Sequence, residues 1–383
     1  MQPANHLLTL LITVSLLVSA CGSDSTTSPP ASEPTPGSET RSFYMGFTPW
    51  PYAGTTEAVN TTYAKIQENG DIIDHQFMQG IPWNEAFNQS AYPSAVEADI
   101  QSRLAQTRSG KAVFLAIDSL NGARNALANN WGSNGEEARP APWDSRDFNS
   151  QEVIDAYTRF ALDMIGRFKP LYFNYATEAS ELIVNDLAGY TRFKAFARAV
   201  YSNIKAAYPD LKLTISVAMK SPGSNEMTLV KQHLADILPY VDVIGVSVYP
   251  YAFYFDTPGI ENPARLPDDW LSQITQIAPG KPVVITETGW IAEPLVIDAY
   301  GLDLAGSEEW QRDYVKTLLT ESEKLDVEFI IWWSLIDFQS LWENELFKDN
   351  LAAIWRDIGL YDEQVKARAG LGIWREYYQR PRK

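Results

Sequence analysis

The feature of this sequence that most constrains its fold is a regular alternation of short β-forming runs with longer segments of helical periodicity. Between residues 150 and 170, for example, Val153, Tyr157 and Phe160 recur every three or four positions, as on one face of a helix. The run 241–248 is apolar on both faces, which indicates a strand of a parallel sheet covered by helices. The predicted strands are 43–47, 71–77, 111–117, 171–177, 213–217, 241–248, 283–286 and 327–333.

Eight strands that alternate with helices close most naturally into a (β/α)8 TIM barrel, because each parallel crossover is right-handed. The competing fold is an open doubly wound sheet. Such a sheet is expected to carry a glycine-rich nucleotide-binding turn after its first strand, and residues 46–49 (Gly-Phe-Thr-Pro) offer none. The length of 383 residues suits one barrel with elaborated loops. The sequence therefore predicts the α/β class and a TIM barrel.

The first 40 residues read differently from the rest of the chain. Residues 7–18 are apolar and lead into Ser19, Ala20 and Cys21, an arrangement that resembles a bacterial lipobox. The resemblance implies a signal peptide over residues 1–20 and a lipid on Cys21 that anchors the protein in the bacterial cell envelope, facing the periplasm or the surface. The alternatives are a plain secretory signal and a buried N-terminal helix. Residues 21–40 predict a disordered Ser/Thr/Pro-rich linker, and residues 41–383 the catalytic domain.

Composition narrows the classes of partner. The formal net charge of −17 argues against nucleic acid, because phosphate binding depends on clustered lysine and arginine. One cysteine excludes an intrachain disulfide and a cysteine-based zinc site, and three histidines without a nearby pair argue against a metal. The 12 Trp, 19 Tyr and 16 Phe residues leave aromatic rings for a sugar-binding surface. We expect an oligo- or polysaccharide as partner, no cofactor and a monomer.

Two predicted strands end in glutamate, the fourth at Glu178 and the seventh at Glu287. Glutamate is disfavoured in strands and costly to bury, so two glutamates at strand ends indicate a functional role. In a barrel the fourth and seventh strands face each other across the end where active sites lie. Retaining glycoside hydrolysis requires two such carboxyl groups about 5–5.5 Å apart, one as acid and one as nucleophile.

Three segments resemble clan A of the retaining glycoside hydrolases: 285–290 (Ile-Thr-Glu-Thr-Gly-Trp), 245–250 (Gly-Val-Ser-Val-Tyr-Pro) and 331–334 (Ile-Trp-Trp-Ser). The resemblance covers most of residues 43–378. It implies that Glu287 is the nucleophile, Glu178 the acid/base, Tyr249 the hydrogen-bond partner of the nucleophile and Trp333 the platform under the sugar. One of the pair Trp332 and Trp333 is expected to be barrel packing, since alternate strand residues point inward.

The sequence departs from the clan where Thr177 replaces the asparagine that precedes the acid/base and binds the sugar 2-hydroxyl. Glu181 is therefore the alternative acid. Trp50 and Trp83, just past the first two strands, are candidates for stacking on a sugar, with ordinary packing as the alternative. His75 is a candidate substrate hydrogen-bond donor or a satisfied strand-end residue.

Two functional hypotheses follow. The first is a retaining β-glycoside hydrolase, endo-acting on an extracellular polysaccharide. The second is a glycan-binding surface lipoprotein that kept the barrel and lost its acid, and the Thr177 departure keeps this alternative open. The identity of the sugar is open at this stage, with β-1,3-glucan, β-galactan and β-mannan as the candidates.

Overall fold

A computed structural model of the protein describes residues 39–107 and 110–383. The predicted signal peptide, Cys21 and nearly all of the predicted linker lie outside these residues and remain predictions. The part of the chain that the structure describes contains no helix long and apolar enough to cross a membrane.

The described residues form a closed barrel of eight parallel strands, which confirms the predicted TIM barrel. The fifth strand consists of two short segments separated by Ile215; the first pairs with β4 and the second with β6, so no edge is left open. The remaining neighbours pair in chain order, and β8 pairs with β1. The strands are β1 (Tyr44–Phe47), β2 (Ile72–Phe77), β3 (Ala112–Ile117), β4 (Tyr172–Asn174), β5 (Lys212–Thr214 and Ser216–Ala218), β6 (Ile244–Val248), β7 (Val283–Thr288) and β8 (Phe329–Trp332).

Helices surround the barrel and short helices line its loops. The long ones are amphipathic, and in α4 the residues Val153, Tyr157 and Phe160 predicted to share a face are all buried. The helices are α1 (Thr56–Asn69), α2 (Trp83–Asn88), α3 (Ser94–Gln106), α4 (Gln151–Phe168), α5 (Ala179–Asn185), α6 (Leu187–Ala207), α7 (Asn225–His233), α8 (Pro250–Phe253), α9 (Ile274–Ile277), α10 (Glu308–Lys324), α11 (Gln339–Asn344) and α12 (Ala369–Tyr378). Hairpins in the loops after β3 and β7 pair Asn130–Gly132 with Gly135–Glu137 and Leu295–Ile297 with Leu302–Leu304.

Alternation along the strands divides the apolar residues into two cores. Outward residues pack beneath the helices, whereas a smaller cluster that includes Phe114, Tyr172, Val284 and Phe329 fills the barrel interior. Towards the C-terminal ends of the strands the inward positions become polar. This end, which we call the mouth, is lined by Thr48, Asp74, Gln76, Asp118, Glu178, Ser216, Ser247 and Glu287.

The described chain begins and ends at the opposite face of the barrel, which we call the base. The backbone N–H of Arg41 donates to Pro381 O at 3.1 Å, and Lys383 N–H donates back to Arg41 O at 2.9 Å. The Arg382 guanidinium lies 3.7 Å from the ring centroid of Tyr44, the first residue of β1. Both ends of the described domain are therefore fastened beside the N-terminal ends of the strands.

Candidate active site

A β-bulge on β7 determines where Glu287 points. Val284 lies inside the barrel and Ile285 packs beneath the helices, so regular alternation would send Glu287 towards the helices too. The register with β6 shifts between Ile285 and Glu287, which leaves Thr286 as an extra residue. An inserted residue re-aims the side chains that follow it. Glu287 consequently points into the mouth.

Two donors from different strands hold the Glu287 carboxylate. Gln76 Nε2, on the inward face of β2, donates to Oε1 at 3.1 Å, and the Tyr249 hydroxyl donates to Oε2 at 3.3 Å. Burial, followed by the nearby charge of Glu178, raises the pKa of Glu287 to about 8, against the lowering effect of Arg124. The carboxyl is thus oriented by the protein and electrostatically coupled to Glu178.

Glu178 occupies a left-handed backbone conformation, with φ 53° and ψ 39°, immediately before α5. This region is strained for a residue with a Cβ, and such residues concentrate at functional sites. The backbone N–H of Glu178 donates to Ser216 Oγ at 2.7 Å. Its Oε1 accepts from Ser247 Oγ at 2.8 Å, and Arg124 Nε lies 3.4 Å from its Oε2. The side chain is therefore turned into the mouth.

Ser247 connects the two glutamates. Its Cα is the register partner of Glu287 on the neighbouring strand, while its hydroxyl binds Glu178 from the other side. Two carboxyl groups so placed repel each other when both are ionised, so the pair tends to keep one proton between them.

Arg124 introduces the positive charge of the site from the long loop after β3. Its Nη1 pairs with Asp118 Oδ2 at 2.5 Å, and Asn121 O accepts from the same Nη1 at 3.2 Å. Burial, opposed by the charge of Arg124, raises the pKa of Asp118 to about 6. The guanidinium thus bridges the buried Asp118 at the end of β3 and the partly exposed Glu178.

Asp74 lies two residues before Gln76 on the inward face of β2. Its Oδ2 accepts from the Thr48 hydroxyl at 2.8 Å, whereas its Oδ1 and the Gln76 Oε1 are buried without a protein partner. Burial raises the pKa of Asp74 to about 7. These two buried oxygens therefore leave hydrogen-bonding capacity unused within the wall of the mouth.

Aromatic rings form one wall of the mouth. Trp333 extends β8 at an inward position, and its ring centroid lies 5.0 Å from Trp50, 5.8 Å from Phe338 and 5.8 Å from Trp355. Trp355 also lies 5.7 Å from Tyr249. The indole N–H groups of Trp50 and Trp355 are buried without a protein partner. Flat apolar faces of this kind are suited to packing against a sugar ring.

Three aromatic residues named in the sequence lie in the packing layers instead. Outward-facing His75 is fully buried, with its Nε2 2.6 Å from Thr107 Oγ1, its ring against Phe168 and its Nδ1 without a protein partner, so it packs beneath the helices and is not a substrate donor. Trp83 is equally buried and donates to the backbone oxygens of residues 128 and 129, which rules out stacking on a sugar in this conformation. Trp332 faces outward and donates to Ile358 O at 2.8 Å.

Thr177 and Glu181 flank the acid/base candidate. Thr177 is buried at the mouth and its hydroxyl oxygen has no protein partner. Glu181, in the first turn of α5, pairs with Lys220 at 3.3 Å, and its side chain is 20% exposed. Burial raises the pKa of Glu181, with Lys220 opposing the shift and Glu178 adding to it. Glu181 is therefore partly buried and forms an ion pair with Lys220.

Sequence reasoning missed Arg124, Gln76, Asp74, Asp118 and Ser247. The sequence contains a signal for four of them, because polar residues at inward positions of otherwise apolar strands are as unusual as the two glutamates. Asp74 and Gln76 alternate with outward residues on β2, and Asp118 directly follows the apolar β3. Arg124 lies in an irregular loop and had none. Among the residues that the structure describes, no group of three or more His, Cys, Asp or Glu side chains is arranged to hold a metal ion.

No protein-family model and no curated protein matches this sequence. Solved structures match its fold. An exo-β-1,4-mannosidase from Opitutaceae bacterium strain TAV5 aligns with a TM-score of 0.60 and 13% identity over 88% of this chain and 59% of that one. A β-D-glucuronidase from Dictyoglomus thermophilum aligns with a TM-score of 0.54 and 17% identity over 90% of this chain and 52% of its own.

A third match is the Ruminococcus gnavus β-glucuronidase, with a TM-score of 0.53 and 14% identity over 88% of this chain and 51% of that one. This chain thus spans between about half and three fifths of the length of these neighbours. At such identities the likeness establishes the barrel fold, and the neighbours that share it are glycoside hydrolases.

Proposed function

We propose that this protein is a retaining β-glycoside hydrolase that acts on an extracellular polysaccharide, with Glu287 as nucleophile and Glu178 as acid/base. The observation that carries the proposal is that both glutamates lie at the mouth and their charges interact: Glu178 accepts a hydrogen bond from Ser247, and the Cα of Ser247 is the register partner of Glu287 on the neighbouring strand. The clan A resemblance of the three motifs and the β-glycosidase names of the structural neighbours add support.

In the first step the Glu287 carboxylate attacks the anomeric carbon of the bound sugar. The bond from that carbon to the glycosidic oxygen breaks, its electron pair stays on the oxygen, and Glu178 supplies the proton. Gln76 and Tyr249 hold the nucleophile in line by their hydrogen bonds to its two oxygens. The product is a glycosyl ester of Glu287 and a released hydroxyl group.

In the second step water attacks the same carbon. Glu178, now a carboxylate, accepts a proton from the water, and the ester bond breaks with its electron pair returning to Glu287. Trp333 and Trp50 provide an apolar wall for the sugar, and the Thr177 hydroxyl takes the place that the asparagine holds in the clan. Two inversions at one carbon retain the β configuration.

If the protein only bound glycans, we would expect Glu178 to turn away from the mouth and Glu181 to lie on the surface. Glu178 contacts Ser247 and Arg124 in the mouth, and Glu181 is paired with Lys220. These contacts favour the enzyme.

The decisive experiment is reducing-sugar release from β-1,3-glucan, β-galactan and β-mannan by the purified protein, beside Glu287→Ala and Glu178→Ala. Both variants should lose activity. Azide should rescue the two variants with opposite stereochemistry on an activated β-glycoside, giving an α-glycosyl azide with Glu287→Ala and a β-glycosyl azide with Glu178→Ala. A protein that binds one glycan but hydrolyses none would be the glycan-binding alternative.

We further infer that a lipid on Cys21 anchors the protein in the cell envelope, on the strength of the lipobox-like sequence. Fractionation of cells that express the protein or Cys21→Ser tests this inference. The parent should sediment with membranes and the variant should not.

A further inference from the structure

We propose that the leaving-group side of this site is a second sugar-binding surface, formed by Phe255 together with the Lys220–Glu181 pair, and that it takes a neutral glycosyl residue. The inference rests on the proposed function. It specifies which residues receive the sugar on the leaving-group side and that this sugar carries no charge.

The position of the leaving group follows from that of the acid. Glu178 protonates the departing oxygen, so the leaving group must lie next to Glu178. Glu181 lies three residues further along α5, and Lys220, just past β5, pairs with it at 3.3 Å. The ion pair therefore lies close to the carboxyl group that protonates the leaving group.

Aromatic contacts continue from this ion pair to the rim. The Lys220 ammonium lies 4.7 Å from the ring centroid of Phe253, and the Phe253 ring lies 6.3 Å from that of Phe255. Phe253 also lies 6.4 Å from Trp355, which contacts Tyr249, the donor to Glu287. The surface is thus continuous with the catalytic residues.

The loop that carries Phe255 is fixed to the loop that carries Lys220. The backbone N–H of Asp256 donates to Ser221 Oγ at 3.4 Å, and Ser221 is buried. The ring of Phe255 nevertheless remains 69% exposed. The exposed ring therefore continues the aromatic contacts of Phe253 out to the rim and offers a flat apolar face to a ligand.

The chemistry of this surface fits an uncharged sugar. A pyranose presents an apolar C–H face that packs on an aromatic ring and hydroxyls that hydrogen-bond at its edge. The ammonium of Lys220 and the carboxylate of Glu181 supply a donor and an acceptor, and their charges offset each other. A uronate or sulfated sugar would instead add negative charge beside Glu178 and Glu181, at a cost.

The chain offers a matched control. Phe347 is 81% exposed on the loop after α11 and belongs to none of these contacts. Full-length protein, Phe255→Ala and Phe347→Ala should each be assayed on laminaritetraose, β-1,4-galactotetraose and β-1,4-mannotetraose, and on the corresponding β-glycosyl fluorides. A fluoride leaves without occupying a sugar site.

Phe255→Ala should lower kcat/KM about tenfold on the tetrasaccharide that is cleaved and leave the fluoride within about twofold, because only one substrate fills the surface. Phe347→Ala should change neither. Equal effects of Phe255→Ala on both substrates, or no effect on either, overturn the inference while the hydrolase stands. Parent protein that hydrolyses fluorides but no tetrasaccharide also overturns it alone, and parent protein that hydrolyses nothing overturns both proposals.

Discussion

The hydroxyl of Ser247 donates a hydrogen bond of 2.8 Å to Glu178 Oε1. Because the backbone of Ser247 is paired in register with Glu287, this small side chain fixes how the two carboxyl groups face each other. A serine in the middle of an otherwise apolar strand thus belongs to the site and not to the barrel core.

We expect Ser247→Ala to lower kcat/KM by roughly 10- to 100-fold, since a hydrogen bond to a charged group contributes about 1.5–3 kcal/mol. Steady-state kinetics on the substrate identified above measure the effect. Ser202→Ala, on the exposed face of α6, should leave kcat/KM unchanged. Equal activity of the two variants would contradict a role for Ser247.

The pH profile should reflect the proton that the glutamates share. Burial and the charge of Glu178 raise the pKa of Glu287 to about 8, so the pair keeps its proton at neutral pH and loses it above that value. We expect kcat/KM to fall as pH rises through about 8. In Glu178→Gln, assayed on a glycosyl fluoride, the repulsion is gone while burial remains, so activity should instead rise with pH through a pKa that lies below that of the parent. A descending limb near pH 5 in the parent would contradict the coupling.

Arg124 should matter for stability as well as for activity. Arg124→Met leaves the buried Asp118 without its cation, and we expect a loss of about 3–5 kcal/mol in the free energy of unfolding. Because Arg124 also lowers the pKa of Glu287, the alkaline limb should move to higher pH. Urea unfolding measures the first effect. The double variant Arg124→Met/Asp118→Asn should recover much of the stability without recovering activity; no recovery would mean that Arg124 stabilises by other contacts.

Asp74 should make the fold less stable as the pH rises from acidic to neutral. Its pKa is about 7 in the folded protein and about 3.9 in an unfolded chain. Between these values the folded state holds a proton that the unfolded state has lost, so stability falls as pH rises from about 4 to 7. Asp74→Asn should therefore be more stable than the parent at pH 8, by at most about 4 kcal/mol. The exposed Asp303→Asn serves as control, and equal unfolding free energies at pH 8 would refute the assignment.

Thr177→Val tests the departure from the clan. The buried Thr177 hydroxyl oxygen lacks a protein partner, so its loss should leave the melting temperature unchanged or raised. Activity should fall about tenfold or more if the hydroxyl contacts the sugar. A variant with unaltered kinetics would show that Thr177 only fills space.

The sequence was sufficient to predict the barrel because each strand–helix pair carries its own periodicity, independent of the others. The sequence also identifies Glu178 and Glu287, because they directly follow the predicted strands 171–177 and 283–286. The residues around them are harder to predict. Gln76 and Ser247 are recognised as site residues only once the barrel brings β2 and β6 close to β7.

The direction in which individual side chains point is the feature that the sequence predicts least well. Uninterrupted alternation would have turned Glu287 away from the mouth, and only the extra residue Thr286 turns it back. His75 and Trp83 were candidates because they lie near a strand end, yet the helices α3 and α4 and the loop at 128–129 cover them. Arg124 depends on the shape of a loop, which no periodicity encodes.

The hydrogen bonds of Arg41 to Pro381 and Lys383 determine on which face of the barrel the residues before Arg41 connect to the domain. The described chain starts at the base, with Glu39 paired to Arg380 at 2.8 Å. A lipid on Cys21, as proposed, would therefore be tethered to the base of the barrel, at the face opposite the mouth. Such a tether would not cross the opening at which Glu178 and Glu287 lie.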